Sequence, residues 1–114
     1  MHGRQPMLSV EEFRKLDLRI GTIVAAELVP TSDHLLRIQV DLAVESRQVV
    51  ARIAGAYRPD DLVGLQVVLV ANMASATIRG VRSEGMLLGV GCHGGGEIAL
   101  LTVNRPAPNG ARVE

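Results

Sequence analysis

Short segments in which apolar and polar residues alternate constrain the fold of this chain more than any other feature. The segment Leu36–Leu42 alternates at every position, and this period of two predicts a β-strand with one solvated face. The phase of the alternation changes at Gly21, which predicts a β-bulge at that glycine. Five further strands are predicted, at Leu16–Val24, Arg47–Ile53, Gln66–Ala71, Met86–Val90 and Ile98–Val103.

Two short helices are predicted among these strands. Ser9-Val10-Glu11-Glu12 is a capping box, which predicts a helix over Val10–Leu16 that buries Val10 and Phe13. Proline and acids followed by glycine predict one or two helical turns in Arg58–Gly64. Residues 72–85 and 91–96 are predicted loops, and residues 104–110 are predicted to be extended or looped.

The order of these elements predicts a mostly β fold. Three strands, a short helix and then two or more strands is the connectivity of the five-stranded OB barrel. The chain adds a short N-terminal helix and a C-terminal strand and loop extension. An SH3-like barrel or a small sandwich could show the same number of strands.

The composition predicts one small soluble domain. Among 114 residues, 47% are hydrophobic and 12 cations balance 12 anions, which excludes a disordered polyelectrolyte. The single cysteine, Cys92, excludes a disulfide scaffold and fits a reducing compartment. There is neither an apolar run of about 18 residues nor a signal-peptide core, so we expect a cytoplasmic protein without membrane contact. Residues 1–8 are predicted to be a flexible tail and residues 9–114 the domain.

The basic residues are unevenly distributed and are almost all arginines. Lys15 is the one lysine among the 12 cations. Residues 46–82 contain only two acids beside the five arginines Arg47, Arg52, Arg58, Arg79 and Arg82. Planar guanidinium groups suit phosphate oxygens, so a groove lined by these arginines could bind a nucleic-acid backbone. Scattered surface charge is the alternative interpretation.

Aromatic residues are nearly absent, which narrows the class of nucleic-acid ligand. The chain has one tyrosine, one phenylalanine and no tryptophan. Proteins that bind single strands without sequence preference stack successive bases on aromatic faces. A nucleic-acid ligand of this chain should therefore be folded RNA, recognised by shape and by its sugar–phosphate surface, with one splayed base at most.

No catalytic site is predicted. His93-Gly94-Gly95-Gly96 matches the oxyanion-hole tetrad of some esterases, but the chain lacks a G-x-S-x-G nucleophile elbow. Adjacent residues on a strand point to opposite faces, so Cys92 and His93 would not form a dyad. His34, Cys92 and His93 lack the spacing of metal ligands. We expect no enzyme activity, no metal and no cofactor.

Several stretches together resemble the tRNA-binding OB domains, which occur as stand-alone bacterial tRNA-binding proteins and at the C-terminus of many bacterial methionyl-tRNA synthetases. The resemblance covers about residues 9–114. The matching stretches are residues 13–23, Ser32-Asp33-His34-Leu35-Leu36, Arg58–Gly64, Val70-Ala71-Asn72, Arg79–Met86, Leu100-Leu101-Thr102 and Pro108-Asn109-Gly110.

The resemblance implies a homodimer that binds the outer corner of tRNA without reading one anticodon. The N-terminal helix and the C-terminal segment would form the dimer interface, through Val10, Phe13, Leu101 and Val103. The candidate tRNA-binding residues are Ser32, Asp33, His34, Arg52, Asn72, Arg79, Arg82, Ser83 and Met86. Arginine can grip phosphate, and Met86 offers a soft apolar surface beneath a base.

Two related functions remain open. The CsaA-type export chaperones resemble this chain and bind unfolded or presecretory polypeptides, although Ser32–Leu36 is more similar to the tRNA binders. An appendage that dimerises an aminoacyl-tRNA synthetase is the other alternative. The start at Met1 favours a free-standing protein. Three departures from the family pattern are His34 in place of lysine, Ala51-Arg52 in place of Ser-Gly, and Ser75 in place of proline.

Overall fold

The computed structural model describes residues 5–92 and 97–114. Residues 5–8 are exposed and lie outside regular secondary structure. In the part of the chain that is described, no helix is long and apolar enough to cross a membrane. The elements in chain order are α1 (Val10–Phe13), β1 (Leu18–Leu28), β2 (Leu36–Asp41), β3 (Ser46–Ala51), α2 (Pro59–Leu62), β4 (Gln66–Val70), β5 (Ala76–Ile78), β6 (Val81–Ser83), β7 (Met86–Leu87), β8 (Gly89–Val90) and β9 (Ala99–Leu100).

The main sheet is an antiparallel barrel that is nearly closed. Its strand order is β3-β2-β1-β4-β7, so β3 and β7 are the two edges, and they pack against each other. The backbone N–H of Val50 donates to Ser83 Oγ at 3.0 Å, and that of Glu84 donates to the Gln48 carbonyl at 2.7 Å. We call this junction between β3 and the β6–β7 segment the seam. The barrel with α2 between its third and fourth strands confirms the predicted OB-like fold.

Aliphatic side chains fill the barrel and also cover part of its outside. The interior contains Ile23, Ile38, Val49 and Leu69, all almost fully buried. Successive residues of a strand point to opposite faces, so alternate positions of β1 and β4 form a second, outer cluster. It consists of Leu18, Ile20, Val68 and Val70, and the C-terminal residues Val103, Ala107 and Val113 cover it. Burial on both faces explains why β4 is a continuous apolar run.

The predicted bulge in β1 exists, but at a different residue. Gly21 pairs regularly with Val67, and the register between β1 and β2 shifts between Ile23 and Ala25. A Cβ at Gly21 would overlap the Val40 side chain and lie 2.8 Å from Leu42 Cδ2. The glycine is therefore required because the Val40 and Leu42 side chains fill the space that its Cβ would occupy, and the prediction of a bulge at Gly21 was wrong.

The helix α1 forms as predicted at its start but is shorter and exposed. Glu12 N–H donates to Ser9 Oγ at 3.1 Å and Ser9 N–H donates to Glu12 Oε1 at 3.0 Å, which completes the capping box. The helix ends at Phe13, and none of its residues is buried. Val10 is 63% exposed and Phe13 37% exposed, so the prediction that they are buried is wrong for the single chain.

Residues 72–85 form a hairpin where a loop was predicted. Strands β5 and β6 pair from Ala76↔Ser83 to Ile78↔Val81. The predicted strand Met86–Val90 divides into β7 and β8, and the predicted strand Ile98–Val103 contains only the short β9. Strands of two or three residues are too short for alternation to reveal them. The predicted turn at 91–96 lies mostly outside the described residues.

Candidate nucleic-acid interface

The first hairpin loop and the β5–β6 hairpin lie together at one end of the barrel. Val29, Leu35 and Val50 form a buried cluster, and Ile78 and Val81 of the hairpin pack against it. The carbonyl of His34 in the first loop accepts a hydrogen bond of 3.1 Å from the backbone N–H of Ala54, just after β3. These contacts bring the candidate tRNA-binding residues of the first hairpin loop and those of the β5–β6 hairpin to one rim of the barrel, and OB barrels bind ligands through such loops. We call residues 30–34, Arg52 and the β5–β6 hairpin the rim.

Arg52 and Arg79 share a pocket at this rim. The pocket has a volume of about 360 Å³ and lies along the seam, and we call it the seam pocket. Both arginines are exposed at its wall. Neither guanidinium makes an ion pair or a hydrogen bond with residues 5–92 or 97–114. Two guanidinium groups that line one pocket without an ion-pair partner among the described residues are suited to phosphate oxygens.

Arg79 occupies the tip of the β5–β6 hairpin in a conformation that is unfavourable for its residue type. Its φ is 52° and that of Gly80 is 80°, so both central residues of the two-residue turn have positive φ, as in a type I′ turn. Within the described chain, Ala43 is the other non-glycine residue with positive φ. A left-handed backbone costs such a residue about 1–2 kcal/mol, and strain of this kind clusters at functional sites.

Arg82 belongs to the same hairpin and has a weak partner. Its Nε lies 3.8 Å from Glu84 Oε2, and the two side chains are 65% and 40% exposed. An exposed ion pair at this distance contributes little stability. Glu84 Oε1 also accepts a hydrogen bond of 3.3 Å from the Gln48 N–H. The Arg82 guanidinium can therefore exchange its carboxylate neighbour for a phosphate.

Arg47 has a structural position in the seam. Its Nη1 donates to the carbonyls of Ala71 at 2.8 Å and Glu84 at 3.0 Å, and its Nε donates to Glu45 Oε1 at 2.5 Å. The hydrogen bond with Glu45 raises the pKa of Arg47, and it lowers the pKa of Glu45 below the ordinary value. Arg58 precedes α2 and does not line the seam pocket. The five arginines of residues 46–82 thus do not form one groove.

Among the predicted residues of the first loop, Ser32 shapes the loop itself. Its Oγ accepts a hydrogen bond of 3.1 Å from the His34 N–H, and its own N–H donates to the Val29 carbonyl at 3.0 Å. The Asp33 and His34 side chains are exposed. A serine that bonds two residues onward is a common turn former, so the local geometry explains Ser32 without a ligand.

Ser83 and Asn72 both form hydrogen bonds that connect the segment around the β5–β6 hairpin to other parts of the barrel. Ser83 is 5% exposed, and its Oγ accepts from Val50 N–H and donates to the Gly85 carbonyl at 3.3 Å. Asn72 Nδ2 donates to the Lys15 carbonyl at 2.6 Å, and its Oδ1 accepts from Asp17 N–H at 2.9 Å. Asn72 thereby ties the start of the hairpin segment to the residues between α1 and β1.

Two methionines line the seam pocket, and only one was predicted. Met86 lines the pocket and also packs against the outer cluster, so it is both core and pocket wall. Met73 and Cys92 also line the pocket. The position of Met73 directly after Asn72, in a segment expected to bind ligand, was the one available signal for it.

No group of three or more potential metal ligands occurs among residues 5–92 and 97–114. The tetrad that resembles an oxyanion hole, His93–Gly96, lies outside the described residues.

A second, smaller groove lies beside α1. It has a volume of about 310 Å³ and is lined by Val10, Phe13, Arg14, Leu16, Arg112, Val113 and Glu114. Of the residues predicted for a dimer interface, Val10 and Phe13 are in this groove and Leu101 is exposed. Val103 packs partly against the outer cluster of its own chain. The groove therefore combines α1 with the C-terminal end of the chain.

Comparison with known proteins identifies the family. Residues 18–112 match the family described as putative tRNA binding domain. The chain belongs to this tRNA-binding domain family. It is 42% identical over 110 residues to the methionine–tRNA ligase of Methanoregula boonei and 45% identical over 111 residues to that of Thermotoga maritima. These matches cover 96% and 97% of this chain, but the chain spans only 16% and 17% of the ligases.

Two solved structures have nearly the same fold as this tRNA-binding domain. A MetRS-related protein from Pyrococcus horikoshii superposes with a TM-score of 0.88 at 31% identity. The chaperone CsaA from Bacillus anthracis superposes with a TM-score of 0.83 at 36% identity. Each match covers 96% of this chain and 100% of the other. The same barrel thus occurs in a synthetase-related protein and in a protein named a chaperone.

Proposed function

We propose that this chain is a non-catalytic protein that binds folded tRNA through the rim, by shape and backbone and without anticodon specificity. The single observation that carries this proposal is that two exposed arginines, Arg52 and Arg79, both line the seam pocket. Phosphate contacts position a protein on RNA without reading its sequence. Membership of the tRNA-binding domain family supports tRNA as the ligand.

The described aromatic residues favour this mode of recognition over stacking on single strands. Tyr57 packs against the barrel interior, and its hydroxyl accepts a hydrogen bond of 3.1 Å from the Leu100 N–H. Phe13 lies in the groove beside α1, away from the seam pocket lining. Neither ring offers a stacking platform at the rim, so we expect backbone and shape contacts to supply most of the RNA affinity.

A titration of the full chain with bulk tRNA across a salt series tests this function. We expect a Kd of about micromolar at low salt and a linear fall of log affinity with log salt concentration, because phosphate contacts release counterions. The slope measures the number of phosphate contacts. Absence of a filter-binding or mobility-shift signal at low salt would contradict the proposal.

Homodimerisation through the groove beside α1 is the second part of the proposal. In the single chain, Val10 and Phe13 are exposed although they occupy the apolar side of a capped helix. Exposed Leu101 adds to the apolar surface of the C-terminal segment. Burying these side chains against a second copy removes them from water and brings two rims into one molecule.

Light scattering measures this association directly. We expect about twice the chain mass of 12.2 kDa at micromolar concentration. Phe13→Asp should return the mass to that of one chain, because it places a carboxylate in the apolar interface. Val44→Asp is the matched control, since Val44 is 92% exposed and lies in the turn between β2 and β3. A wild-type mass near 12.2 kDa would contradict the dimer.

Binding of unfolded or presecretory polypeptides is the alternative function. The apolar lining of the seam pocket and the similarity to the chaperone CsaA favour it. Strong binding of a denatured protein that does not change with salt, without a tRNA shift, would support this alternative. Two unneutralised arginines at the pocket are the reason why we prefer tRNA.

A cytoplasmic location follows from this proposal, since tRNA is the ligand. The similarity to methionine–tRNA ligases makes an aminoacyl-tRNA synthetase a candidate partner. Co-purification with a synthetase after nuclease treatment would separate a protein contact from one mediated by tRNA.

A further inference from the structure

The seam pocket lies where the two edges of the barrel separate. Ser83 joins β6 to Val50 of β3, and the next residues of the β3 segment, Ala51–Ile53, line the pocket on one side. Met86 and Leu87 of β7 line it as well. The pocket is therefore a cleft between two strand edges that opens toward the rim.

Among the described residues, the lining of the cleft is apolar apart from its arginines and Ser83. It includes Ile78, Met73 and Met86, and none of these described lining residues is an aspartate or glutamate. Methionine side chains are flexible and polarizable, and they adapt to irregular or flat partners. A volume of about 360 Å³ is near the lower limit for small-ligand pockets, so the cleft can accept one ring system and not a stack of several.

We propose that the seam pocket receives a single unstacked nucleobase of the bound RNA, while Arg52 and Arg79 hold the phosphates on either side of that nucleotide. This proposal rests on the proposed function and adds a subsite to it. The methionines contact the faces of the base, which supplies affinity without hydrogen-bonded readout of one sequence. The site therefore selects RNA that presents an unpaired base next to a helical backbone.

The charges of the pocket favour a nucleotide over an apolar polypeptide side chain. A peptide side chain would fill the apolar part of the cleft but would leave two guanidinium groups beside it without anions. Because both guanidinium groups are exposed, such a side chain would use only the apolar part of the lining and would gain nothing from the two charges. A nucleotide supplies both the apolar ring and the phosphates, so its chemistry matches the two parts of the lining.

Methyl NMR of the full chain tests this proposal, because methionines mark the pocket. The probes are a short single-stranded oligouridylate and the same oligonucleotide with abasic sites. We expect upfield shifts of the Met73 and Met86 methyl signals with the base-containing probe, caused by the ring of the bound base. The abasic probe should leave both signals nearly unmoved. Met7, which is 90% exposed, is the internal control.

A pocket-filling variant provides a second, independent measurement. Ala76 lines the pocket on β5, and Ala76→Ile narrows the cleft without changing any charge. We expect this variant to bind the base-containing probe with about fivefold lower affinity, which is the lower end of the range for the contribution of one base. Its affinity for the abasic probe should change little. Ala25→Ile on β1 is the matched control, since Ala25 is exposed and outside the lining.

The outcomes separate this proposal from the function on which it rests. Binding of tRNA in a salt-dependent manner, with both methyl signals unmoved and equal affinity for the two probes, would overturn the base subsite and leave tRNA binding intact. Absence of any tRNA binding would overturn both. Shifts of Met73 and Met86 by an apolar peptide but not by oligouridylate would assign the cleft to polypeptide and overturn the proposal.

Discussion

The arginines at the rim and those elsewhere on the barrel carry the same charge in different surroundings. Away from the rim, Arg19 is paired with Asp17 and Arg37 with Glu27. At the rim, Arg52 and Arg79 have no such partner among the described residues, and Arg82 has a weak one. The formal net charge of zero is a sum over the whole chain and does not reveal this local difference. Total charge is a poor guide to nucleic-acid binding in a chain of this kind.

The physical difference between the two sets is the gain available from a phosphate. An arginine that already holds a carboxylate exchanges one anion for another and gains little when RNA arrives. A solvated guanidinium gains a charge-assisted hydrogen bond and releases a counterion from the RNA. Substitutions at paired and unpaired positions test this difference, and they are given in order of decreasing expected effect.

Arg47→Ala should lower stability strongly, because Arg47 is the most extensively bonded arginine of the seam. Its removal leaves the Ala71 and Glu84 carbonyls without this donor, and a loss of about 2 kcal/mol in the free energy of unfolding is expected. Urea denaturation measures it. Arg52→Ala is the matched control and should change stability by less than about 0.5 kcal/mol. Equal losses of unfolding free energy in the two variants would contradict the distinction between paired and unpaired arginines.

Arg79→Asn should raise stability and lower tRNA affinity. Asn-Gly is the preferred pair for a type I′ turn, because asparagine adopts the positive φ of this position, 52° at Arg79, at a lower energetic cost than arginine. We expect the free energy of unfolding to rise by up to about 1 kcal/mol. Affinity for tRNA should fall about fivefold, because one phosphate contact is lost. Denaturation and a tRNA titration check the two effects, and unchanged affinity would show that the hairpin tip does not contact RNA.

Glu45→Gln should slightly reduce the loss of unfolding free energy that occurs as the pH falls. The hydrogen bond and charge of Arg47 lower the pKa of Glu45 from 4.5, so the folded state binds this proton less tightly than the unfolded chain. The stabilisation is complete above pH 4.5 and is lost as pH falls through the folded-state pKa. Denaturation between pH 3 and 7 should give a shallower acid loss in the variant, and the effect is small because the pair is exposed. If the free energy of unfolding fell equally with pH in the wild type and in the variant, this prediction would be contradicted.

The barrel was predictable because it depends on local patterns. Alternation in Leu36–Leu42 and the apolar run at Gln66–Ala71 identified strands whose bounds differ from β2 and β4 by one residue. The hairpin β5–β6 escaped prediction because Arg79 replaces the asparagine or glycine expected at a type I′ turn. The role of Gly21 was also hidden, since it depends on Val40 of the neighbouring strand.

The candidate site was predictable only in part, because residue type does not reveal a hydrogen-bond partner far away in the chain. Asn72 bonds to Lys15 and Asp17, more than fifty residues earlier. Ser83 bonds to Val50 across the seam. The structure shows these scaffold contacts of both residues, and their predicted contact with tRNA stays a prediction. Arg52 and Arg79 both line the seam pocket, and their role in RNA binding stays a prediction.

The salt dependence of tRNA binding in two double variants measures whether the rim arginines contact phosphate. Arg52→Ala with Arg79→Ala and Arg19→Ala with Arg37→Ala remove the same charge, from the rim and from paired positions. Circular dichroism first confirms that both variants are folded. We expect the rim variant to lose about 2 from the slope of log affinity against log salt, and the paired variant to keep the wild-type slope. Equal slopes in the two variants would contradict the account.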